Sequence, residues 1–307
     1  MTAVVIVGAG AAGQATARAL AEAGVASTVL DRSPERLETL RTELAGEERR
    51  LIACRLGAVF HAEAAWFWLW NDEGVEHLAW TQLVLATGAS DAVAPDPGAG
   101  TWMQVGSVPD NRLAAALGCV LTFNPSSLWL APALEEGSFE TSVANVWVAG
   151  SARRPCDEPL AVSDGKACAA AIAARLGGKP PVRVSRLDVA RSEPAWIWPD
   201  GGAPPDDFVI CPCNAVSAGE ARQAVRAGAD TLHHLGQFSG AGVGGCRGRQ
   251  CQLALAKMIS EETGRGLAEI LTPPAEFPAI AVPLRDFAAI TPQRPTALPL
   301  LRDEGRL

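Results

Sequence analysis

Four of the eight cysteines in this 307-residue chain have the spacing of a metal-cluster site. Cys211 and Cys213 form a Cys-x-Cys pair, and Cys246 and Cys251 follow residues 214–245 as a Cys-x-x-x-x-Cys pair. An iron–sulfur cluster of the 2Fe-2S type is held by four cysteine thiolates. The two pairs therefore predict a cluster with these four residues as its metal ligands, and with it a role in electron transfer.

The residues between and after the cysteines predict the elements that position them. The glycine-rich stretch 240–245 can fold tightly around sulfide ions and direct amide hydrogens at cysteine sulfurs. Cys251 is expected in the first turn of a helix that continues to Glu262, where the helix dipole favours an anionic ligand. A capping box at Ser217–Glu220 predicts a helix that ends before Gly228, and a second helix is expected near 231–235.

Zinc is the alternative occupant, because four thiolates also satisfy a tetrahedral structural site. Zinc ligands more often come in pairs that are separated by two to four residues, which favours iron–sulfur here. Disulfides are disfavoured because nothing in the chain indicates secretion. The other cysteines show no paired spacing and are expected to be core or incidental thiols: Cys54, Cys119, Cys156 and Cys168.

A second site is predicted at the N-terminus. The apolar run Ala3–Val7 predicts a buried parallel strand, and a glycine-rich turn and a helix to about Ala23 follow it. In such a turn the glycines permit a tight bend, approach of a pyrophosphate and close packing of helix on strand. The residues expected to contact or shape the nucleotide are Gly8, Gly10, Ala12 and Gly13.

The end of the next strand supports this prediction. Strand 27–30 ends in Asp31, at the position where a carboxylate binds the hydroxyls of an adenosine ribose, and Arg32 follows it. Two later apolar strands end in small residues that are expected beside the same nucleotide: Thr87, Gly88, Gly150 and Ser151. A glycine-rich turn without a ligand is the alternative interpretation.

The organisation predicted is α/β. Segments 58–70 and 75–80, joined by the turn 71–74, indicate a small antiparallel meander beside the parallel sheet. We expect four parts: a dinucleotide-binding domain at 1–178, a proline-rich linker at 179–207, a small helical cluster domain at 208–268 and an extended tail at 269–307 that could wrap a partner subunit.

On these motifs the first part resembles the FAD-binding domain of pyridine-nucleotide-disulfide-oxidoreductase-type flavoproteins over roughly residues 2–178. The cysteine segment resembles the 2Fe-2S domain of bacterioferritin-associated ferredoxin. Their order is similar to the alpha subunits of bacterial opine oxidases and proline or hydroxyproline dehydrogenases. The resemblance implies a three-layer Rossmann-like domain, a 2Fe-2S cluster and FAD or another adenine nucleotide. It also implies a flavin-containing catalytic beta subunit similar to D-amino-acid and sarcosine oxidases, with or without further small subunits.

The chain departs from the family in three places. Fewer than 60 residues separate Gly88 from Val146, without a second glycine-rich turn, so the inserted NAD-binding domain is expected to be missing and direct NADH oxidation is not expected. Ser151 stands where the family has an acid, and the segment after Asp31 lacks the loop that reaches the flavin ring. The adenine half of a nucleotide is therefore better supported than the flavin half. The family's final helix, expected at Pro159–Leu176 and entered through Ser163–Gly165, favours retained FAD.

Composition limits the partners and the location. A net charge of −8 and a pI near 5.1 exclude nucleic acid and anionic membrane as direct partners. The chain has no apolar stretch long enough to span a bilayer and no basic leader. It is expected in the cytoplasm, or peripheral to the inner membrane through its complex.

The sequence thus predicts an electron-transfer subunit of a complex that oxidises a secondary amine such as proline, hydroxyproline or an opine on another chain. No acid, base or nucleophile constellation indicates catalytic residues here. The alternative is a non-catalytic scaffold subunit with a structural nucleotide and metal.

Overall fold

A computed structural model describes most of the chain. The residues described are 4–44, 50–63, 66–71, 74–96, 101–124, 129–134, 137–179, 202–246, 248 and 250–271. Most of the predicted linker and nearly all of the predicted tail lie outside them.

The described strands are β1 (Val4–Val7), β2 (Ser27–Asp31), β3 (Arg50–Glu63), β4 (Trp66–Asn71), β5 (Gly74–Ala79), β6 (Gln82–Leu85), β7 (Ala89–Asp96), β8 (Thr101–Pro109), β9 (Leu121–Asn124), β10 (Trp129–Pro132), β11 (Val146–Val148), β12 (Val209–Cys211) and β13 (Val216–Ser217). The described α-helices are α1 (Ala11–Glu22), α2 (Pro34–Glu43), α3 (Arg112–Ala116), α4 (Glu158–Leu176), α5 (Ala218–Arg226), α6 (Leu232–Ser239), α7 (Gln252–Thr263) and α8 (Leu267–Ile270).

One mixed sheet organises the first part of the chain, with strand order β11-β6-β1-β2-β3-β4-β5. The strands from β11 to β3 are parallel neighbours, and β1 lies in the middle with Ile6 opposite Val29 on one side and Val84 on the other. All four residues of β1 are buried, as expected for a parallel strand that is covered on both faces. The predicted parallel sheet is confirmed.

The predicted meander is present but begins earlier than the sequence indicated. Strand β3 begins at Arg50, where it pairs with Thr28 of β2 in parallel, and it then turns into the antiparallel partner of β4. Strand β5 completes the meander. The meander is therefore a continuation of the parallel sheet, because one long strand belongs to both ladders.

Helices α1, α2 and α4 cover one face of the sheet around a core that includes Leu20, Leu40 and Ile172. Close packing of α1 on α4 depends on a glycine, because a Cβ at Gly165 would lie 2.3 Å from the carbonyl oxygen of Ala12. On the other face, α3 and Trp80 pack over the sheet in a separate core. The sheet and these two coverings form the expected three layers.

The final helix of the first part has the predicted end and begins one residue before the predicted start at Pro159. Helix α4 begins at Glu158, and the Asp157 carboxylate accepts a hydrogen bond from the Leu160 amide at 3.0 Å. Ser163, Asp164 and Gly165 therefore lie inside the helix, because the chain uses the earlier acidic cap.

Two hairpins and α3 occupy the interval between β6 and β11. Strand β7 pairs with β8, and β9 pairs with β10. No described strand in this interval joins the parallel sheet. Strand β9 pairs with β10 alone, so the chain returns to the main sheet only at β11.

Elements β12 to α8 form a second unit, called here the cysteine module. Helix α5 carries the predicted capping box, and α6 extends further than predicted, to Ser239. The core of the module includes Leu130 of β10, with Leu121 and Phe123 of β9 partly buried against it. Leu121 also contacts the core beneath the sheet. The β9–β10 hairpin thus joins the two units.

In the part of the chain that the structure describes, no helix is both long and apolar enough to cross a membrane.

Candidate cofactor sites

The four cysteines come from three parts of the cysteine module. Cys211 ends β12 and is buried, whereas Cys213 follows it and is exposed. Cys246 lies in the glycine-rich loop, and Cys251 is the buried N-cap residue of α7. Cys251 therefore precedes the first turn of the helix in which it was expected, and the amides at the helix N-terminus still favour an anion there.

These elements bring the four thiols together as two contacting pairs. Cys213 shares a hydrogen bond with the thiol of Cys246, and Cys251 shares one with the thiol of Cys211. The pairs also interact with each other electrostatically, since Cys211 acts on Cys213 and Cys246 acts on Cys251. The arrangement thus places the four predicted ligands near one another as two pairs.

The electrostatics of the thiols favour a cation among them. Burial raises the pKa of Cys251, and the neighbouring Cys211 and Cys246 raise it further. For Cys213, the Cys246 backbone amide lowers the pKa, but the Cys246 thiol, burial and the nearby Cys211 outweigh it, so that its pKa is raised. Four thiolates would repel one another here, and iron or zinc would remove that repulsion.

In the described part of the chain, no three cysteine, histidine or acidic side chains are grouped so that they could hold a single metal ion. The thiol contacts described above are pairwise. A 2Fe-2S cluster distributes its ligands over two irons.

The glycine-rich loop fits closely around the cysteine pairs. A Cβ at Gly244 would lie 2.4 Å from the Cβ of Cys213, so only glycine permits this approach. The Gly242 amide lies 3.4 Å from the Cys211 sulfur, to which it donates a hydrogen bond. Asn214 holds the start of the loop through a hydrogen bond from Nδ2 to the Gly240 carbonyl. The loop therefore supplies both the space and an amide donor that a sulfur-ligated cluster needs.

A cavity of about 410 Å³ lies at the carboxyl ends of the parallel strands. This volume is in the range of small-molecule and cofactor sites. The cavity is lined by Ala9, Gly10, Ala11, Ala12, Gln14, Arg36, Ala86, Gly88, Ala149, Ser151, Cys156, Asp157, Glu158 and Ala161. It includes four of the residues predicted from the sequence, namely Gly10, Ala12, Gly88 and Ser151.

The glycines of the first turn have different roles. Gly8 has φ +107°, and a Cβ there would lie 2.2 Å from the carbonyl oxygen of Ala86. A Cβ at Gly13 would lie 1.8 Å from the carbonyl oxygen of Gly8. A Cβ at Gly10, in contrast, would have no protein atom within 4 Å. Gly8 and Gly13 thus shape the turn, whereas Gly10 leaves open space where a pyrophosphate could approach the backbone.

Asp31 holds the turn in place. Its carboxylate accepts hydrogen bonds from the Ala9 amide at 2.5 Å and the Ser33 amide at 2.7 Å. Arg32 is exposed, and Arg36 in the first turn of α2 is the arginine that lines the cavity. Asp31 retains lone pairs that could accept a ribose hydroxyl.

The other rim of the cavity is built from the ends of β6 and β11. The Thr87 hydroxyl donates a hydrogen bond to the Asp110 carbonyl at 2.6 Å, while Gly88 lines the cavity. Gly150 has φ +64°, and a Cβ there would lie 2.4 Å from the Cβ of Ala12. The Ser151 hydroxyl contacts the Cys156 carbonyl and sulfur, each at 3.4 Å.

An acid that the sequence did not indicate supports this rim. Asp164 of α4 is 1% exposed, and its carboxylate accepts hydrogen bonds from the Gly150 amide and from Arg153, both at 2.8 Å. Arg154 lies 3.7 Å from the same carboxylate. Asp164 thus fixes the Gly150 turn from the helix that packs against it.

Sequence reasoning missed Asp164, Arg36 and Cys156 as residues of this site. Burial raises the pKa of the Cys156 thiol; the Ser151 hydrogen bond opposes this shift, and the charge of Asp164 reinforces it. The sequence predicts that the helix at Pro159–Leu176 is entered through Ser163–Gly165, and this role in helix entry is wrong, because the N-cap is Asp157. Nothing local to Arg36 or Cys156 indicates their position at the cavity.

Comparison with known proteins gives one family match over the region of each site. The model of the BFD-like [2Fe-2S] binding domain matches residues 209–261, and the model of an FAD binding domain matches residues 1–48. The four cysteines fall within the first match and the glycine-rich turn within the second. The predicted cofactors, a 2Fe-2S cluster and FAD, are thereby confirmed, and the chain combines an FAD-binding region with an iron–sulfur region.

Two individual proteins are similar to this chain, one in sequence and one in structure. The chain is 28% identical to the A subunit of opine oxidase from Rhizobium meliloti (strain 1021) over 194 residues, which are 60% of this chain and 41% of that protein. This chain thus matches about two fifths of the length of that relative. The crystal structure of L-proline dehydrogenase from P. horikoshii superposes with a TM-score of 0.66 at 16% identity, covering 93% of this chain and 79% of the other. The latter similarity shows the fold, and the predicted resemblance to the opine oxidase alpha subunit is confirmed.

Proposed function

We propose that this chain is the electron-transfer subunit of a heteromeric flavin-dependent dehydrogenase or oxidase that acts on a secondary amine, with substrate oxidation on a partner subunit. The observation that carries the proposal is the convergence of four thiols in the chain that also holds a nucleotide cavity. When bound, a 2Fe-2S cluster exchanges one electron and a flavin carries redox chemistry in the same chain.

The proposed cluster ligands are Cys211, Cys213, Cys246 and Cys251. The four thiols form two neighbouring pairs, and Gly244 and Gly242 provide the space and the amide donor beside them. The exposed position of Cys213 makes that side of the site accessible from solvent. Electrons could therefore reach or leave the cluster at the protein surface.

The proposed nucleotide-binding residues are Gly8, Gly10, Ala12, Gly13, Asp31, Arg32, Thr87, Gly88, Gly150 and Ser151. We add Arg36, which lines the cavity and could neutralise a phosphate. The helix α1 begins at the cavity, so its N-terminal amides favour a pyrophosphate there. Asp164 positions the turn that carries Gly150.

The substrate class and the partner rest on similarity. The matched relative is named as one subunit of an opine oxidase. The substrate proposed for the complex of this chain is therefore a compound that is oxidised at a C–N bond. The proposed partner is a flavin-containing catalytic subunit. The proposed division of the chain is 1–178 for FAD, 179–207 for the linker, 208–268 for the cluster and 269–307 for the tail.

The experiment that tests this function is a visible spectrum of the anaerobically purified chain before and after dithionite, with iron, zinc and flavin measured in the same sample. We expect sulfide-to-iron absorption that bleaches on reduction, about two irons per chain and releasable flavin. Addition of the reduced catalytic subunit should bleach the same absorption. Zinc without bleaching would contradict the proposal.

A scaffold subunit with a structural nucleotide and metal is the second candidate. It is favoured by Ser151, whose hydroxyl contacts Cys156 where the family has an acid. The buried Asp164 beneath the same turn and the BFD-like match weigh against it. A cluster that never changes absorption with the catalytic subunit present would support the scaffold.

A further inference from the structure

The rim of the nucleotide cavity is bonded to the segment that enters α3. The Thr87 hydroxyl donates a hydrogen bond to the Asp110 carbonyl oxygen at 2.6 Å. The Asp110 amide donates a hydrogen bond to the Gly88 carbonyl oxygen at 3.0 Å. Gly88 lines the cavity. The rim and Asp110 are thus held together by two hydrogen bonds.

That next residue, Asn111, links the rim to the cysteine module. It occupies the N-cap position of α3, where asparagine commonly accepts a capping hydrogen bond, yet it makes none. Asn111 is buried, with 6% of the residue exposed. Its Nδ2 donates a hydrogen bond to the Leu130 carbonyl oxygen at 2.5 Å. A buried amide that is used in this way connects two segments instead of stabilising its own helix.

Leu130 belongs to the core of the cysteine module. The same core contains Cys211 and Cys251, two of the proposed ligands. A second contact also connects the cavity rim with the cysteine module. Strand β7 begins directly after Gly88 and packs near α7, whose N-cap is Cys251. Two sets of contacts thus lead from the cavity rim to the core that contains the cluster ligands.

We propose that Asn111 is a positioning residue that holds the cysteine module against the rim of the nucleotide cavity, so that nucleotide binding is sensed at the cluster. The inference rests on the proposed function in that it requires both cofactor sites to be used. Packed side chains and hydrogen bonds that connect two sites transmit such an effect when each site biases the same contact.

Visible circular dichroism of the cluster tests the proposal. The chain, purified with its cluster and freed of flavin, is titrated with ADP, which has no absorption in the visible range. In the wild type we expect the cluster's dichroic bands to change, with a half-maximal ADP concentration equal to the dissociation constant from calorimetry. A general loss of structure would lower the iron content as well, so iron is measured in the same sample.

Asn111→Ala should retain the cluster and bind ADP, while the dichroic response to ADP is lost. Thr122→Ala is the matched control, because its exposed hydroxyl on the same β9–β10 hairpin makes only a 3.5 Å bond to the Ala131 carbonyl. The control should retain the full response. An Asn111→Ala variant that responds like the wild type would overturn the proposal.

Hydrogen exchange of the wild type gives a second readout if Asn111→Ala does not fold. ADP should slow exchange at β10 and at β12, which contribute no residue to the lining of the cavity. Protection confined to residues of the cavity itself would overturn the inference. A chain that holds iron and binds ADP yet shows no response at the cluster contradicts this inference alone, whereas a chain without a reducible cluster contradicts the proposed function and the inference with it.

Discussion

At the nucleotide cavity, a substitution at a single glycine can change nucleotide affinity without changing the stability of the fold. Gly10 has ordinary backbone angles, φ −73° and ψ −174°, and open space at its Cβ position. At Gly8 and Gly13, in contrast, a Cβ would collide with a backbone carbonyl oxygen. Gly10→Ala should therefore leave the free energy of unfolding within about 0.5 kcal/mol of the wild type. The added methyl group enters the cavity, so the affinity for ADP or FAD should fall at least about tenfold, or 1.4 kcal/mol.

Calorimetry and thermal unfolding check this pair of outcomes. Gly266→Ala is the control, because a Cβ there also has no protein atom within 4 Å but the residue lies far along the chain in the cysteine module. It should leave nucleotide affinity unchanged. Equal affinities for Gly10→Ala and the wild type would show that the pyrophosphate does not approach Gly10.

Cys156 offers a chemical probe of the same cavity. Burial raises the pKa of its thiol, so less thiolate is present at neutral pH than in an exposed cysteine, and only the thiolate reacts. Alkylation of Cys156 at a pH of about 7.5 should be slower than that of free cysteine and should accelerate as the pH rises above about 9. Saturating ADP should slow it further because Cys156 lines the cavity.

Mass spectrometry of the peptide that contains Cys156 measures both effects. Cys156→Ser supplies the background for the labelling and should also retain the cluster, since Cys156 is not among the proposed ligands. Alkylation at the same rate with and without ADP would place the nucleotide elsewhere.

At the scale of elements, the glycine-rich loop can be tested with two adjacent residues. Gly244→Ala would place a Cβ 2.4 Å from the Cβ of Cys213, whereas a Cβ at Gly245 would have no protein atom within 4 Å. Gly244→Ala should lose the bleachable absorption and most of the iron. Gly245→Ala should retain both.

Iron analysis and the dithionite difference spectrum measure this contrast. Since both variants change one glycine to alanine in the same loop, a difference between them reports the contact with Cys213 and not the general flexibility of the loop. Full cluster content in Gly244→Ala would contradict the close approach of loop and ligand.

Elements whose signals are local were predictable from the sequence. The first strand, the glycine-rich turn and helix α1 follow from a few adjacent residues, as does the capping box at Ser217. The role of Asp164 could not be predicted, because its partners Gly150 and Arg153 lie outside its own helix, across a packed interface. The start of β3 was missed for a similar reason, since residues 50–53 pair with a strand that precedes α2.

At the scale of the whole molecule, the two units share a hydrophobic contact that the sequence did not reveal. Leu130 lies in the core of the cysteine module although it precedes that module by about 80 residues in the chain. The four cysteines were predictable from their spacing, but this long-range contact depends on how the β9–β10 hairpin packs. The predicted domain boundary therefore divides the chain more sharply than the packing does.

A cleavage between residues 180 and 201 tests this packing. A protease site introduced in that segment should yield two fragments that remain together in gel filtration, because Leu130 of the β9–β10 hairpin stays buried in the module core. Leu130→Asp should release the fragments from each other, since it places a charge in that core. Fragments of the unsubstituted protein that separate without denaturant would contradict the shared core.

Leu121 contacts the core beneath the sheet as well as the core of the cysteine module. This double contact determines where a chimera between this chain and a relative can be joined. A chimera that exchanges the cluster unit at the proline-rich segment would pair one parent's hairpin with the other parent's core. Functional chimeras should instead take β9 and β10 from the same parent as the cluster unit, so that the complementary surfaces are inherited together.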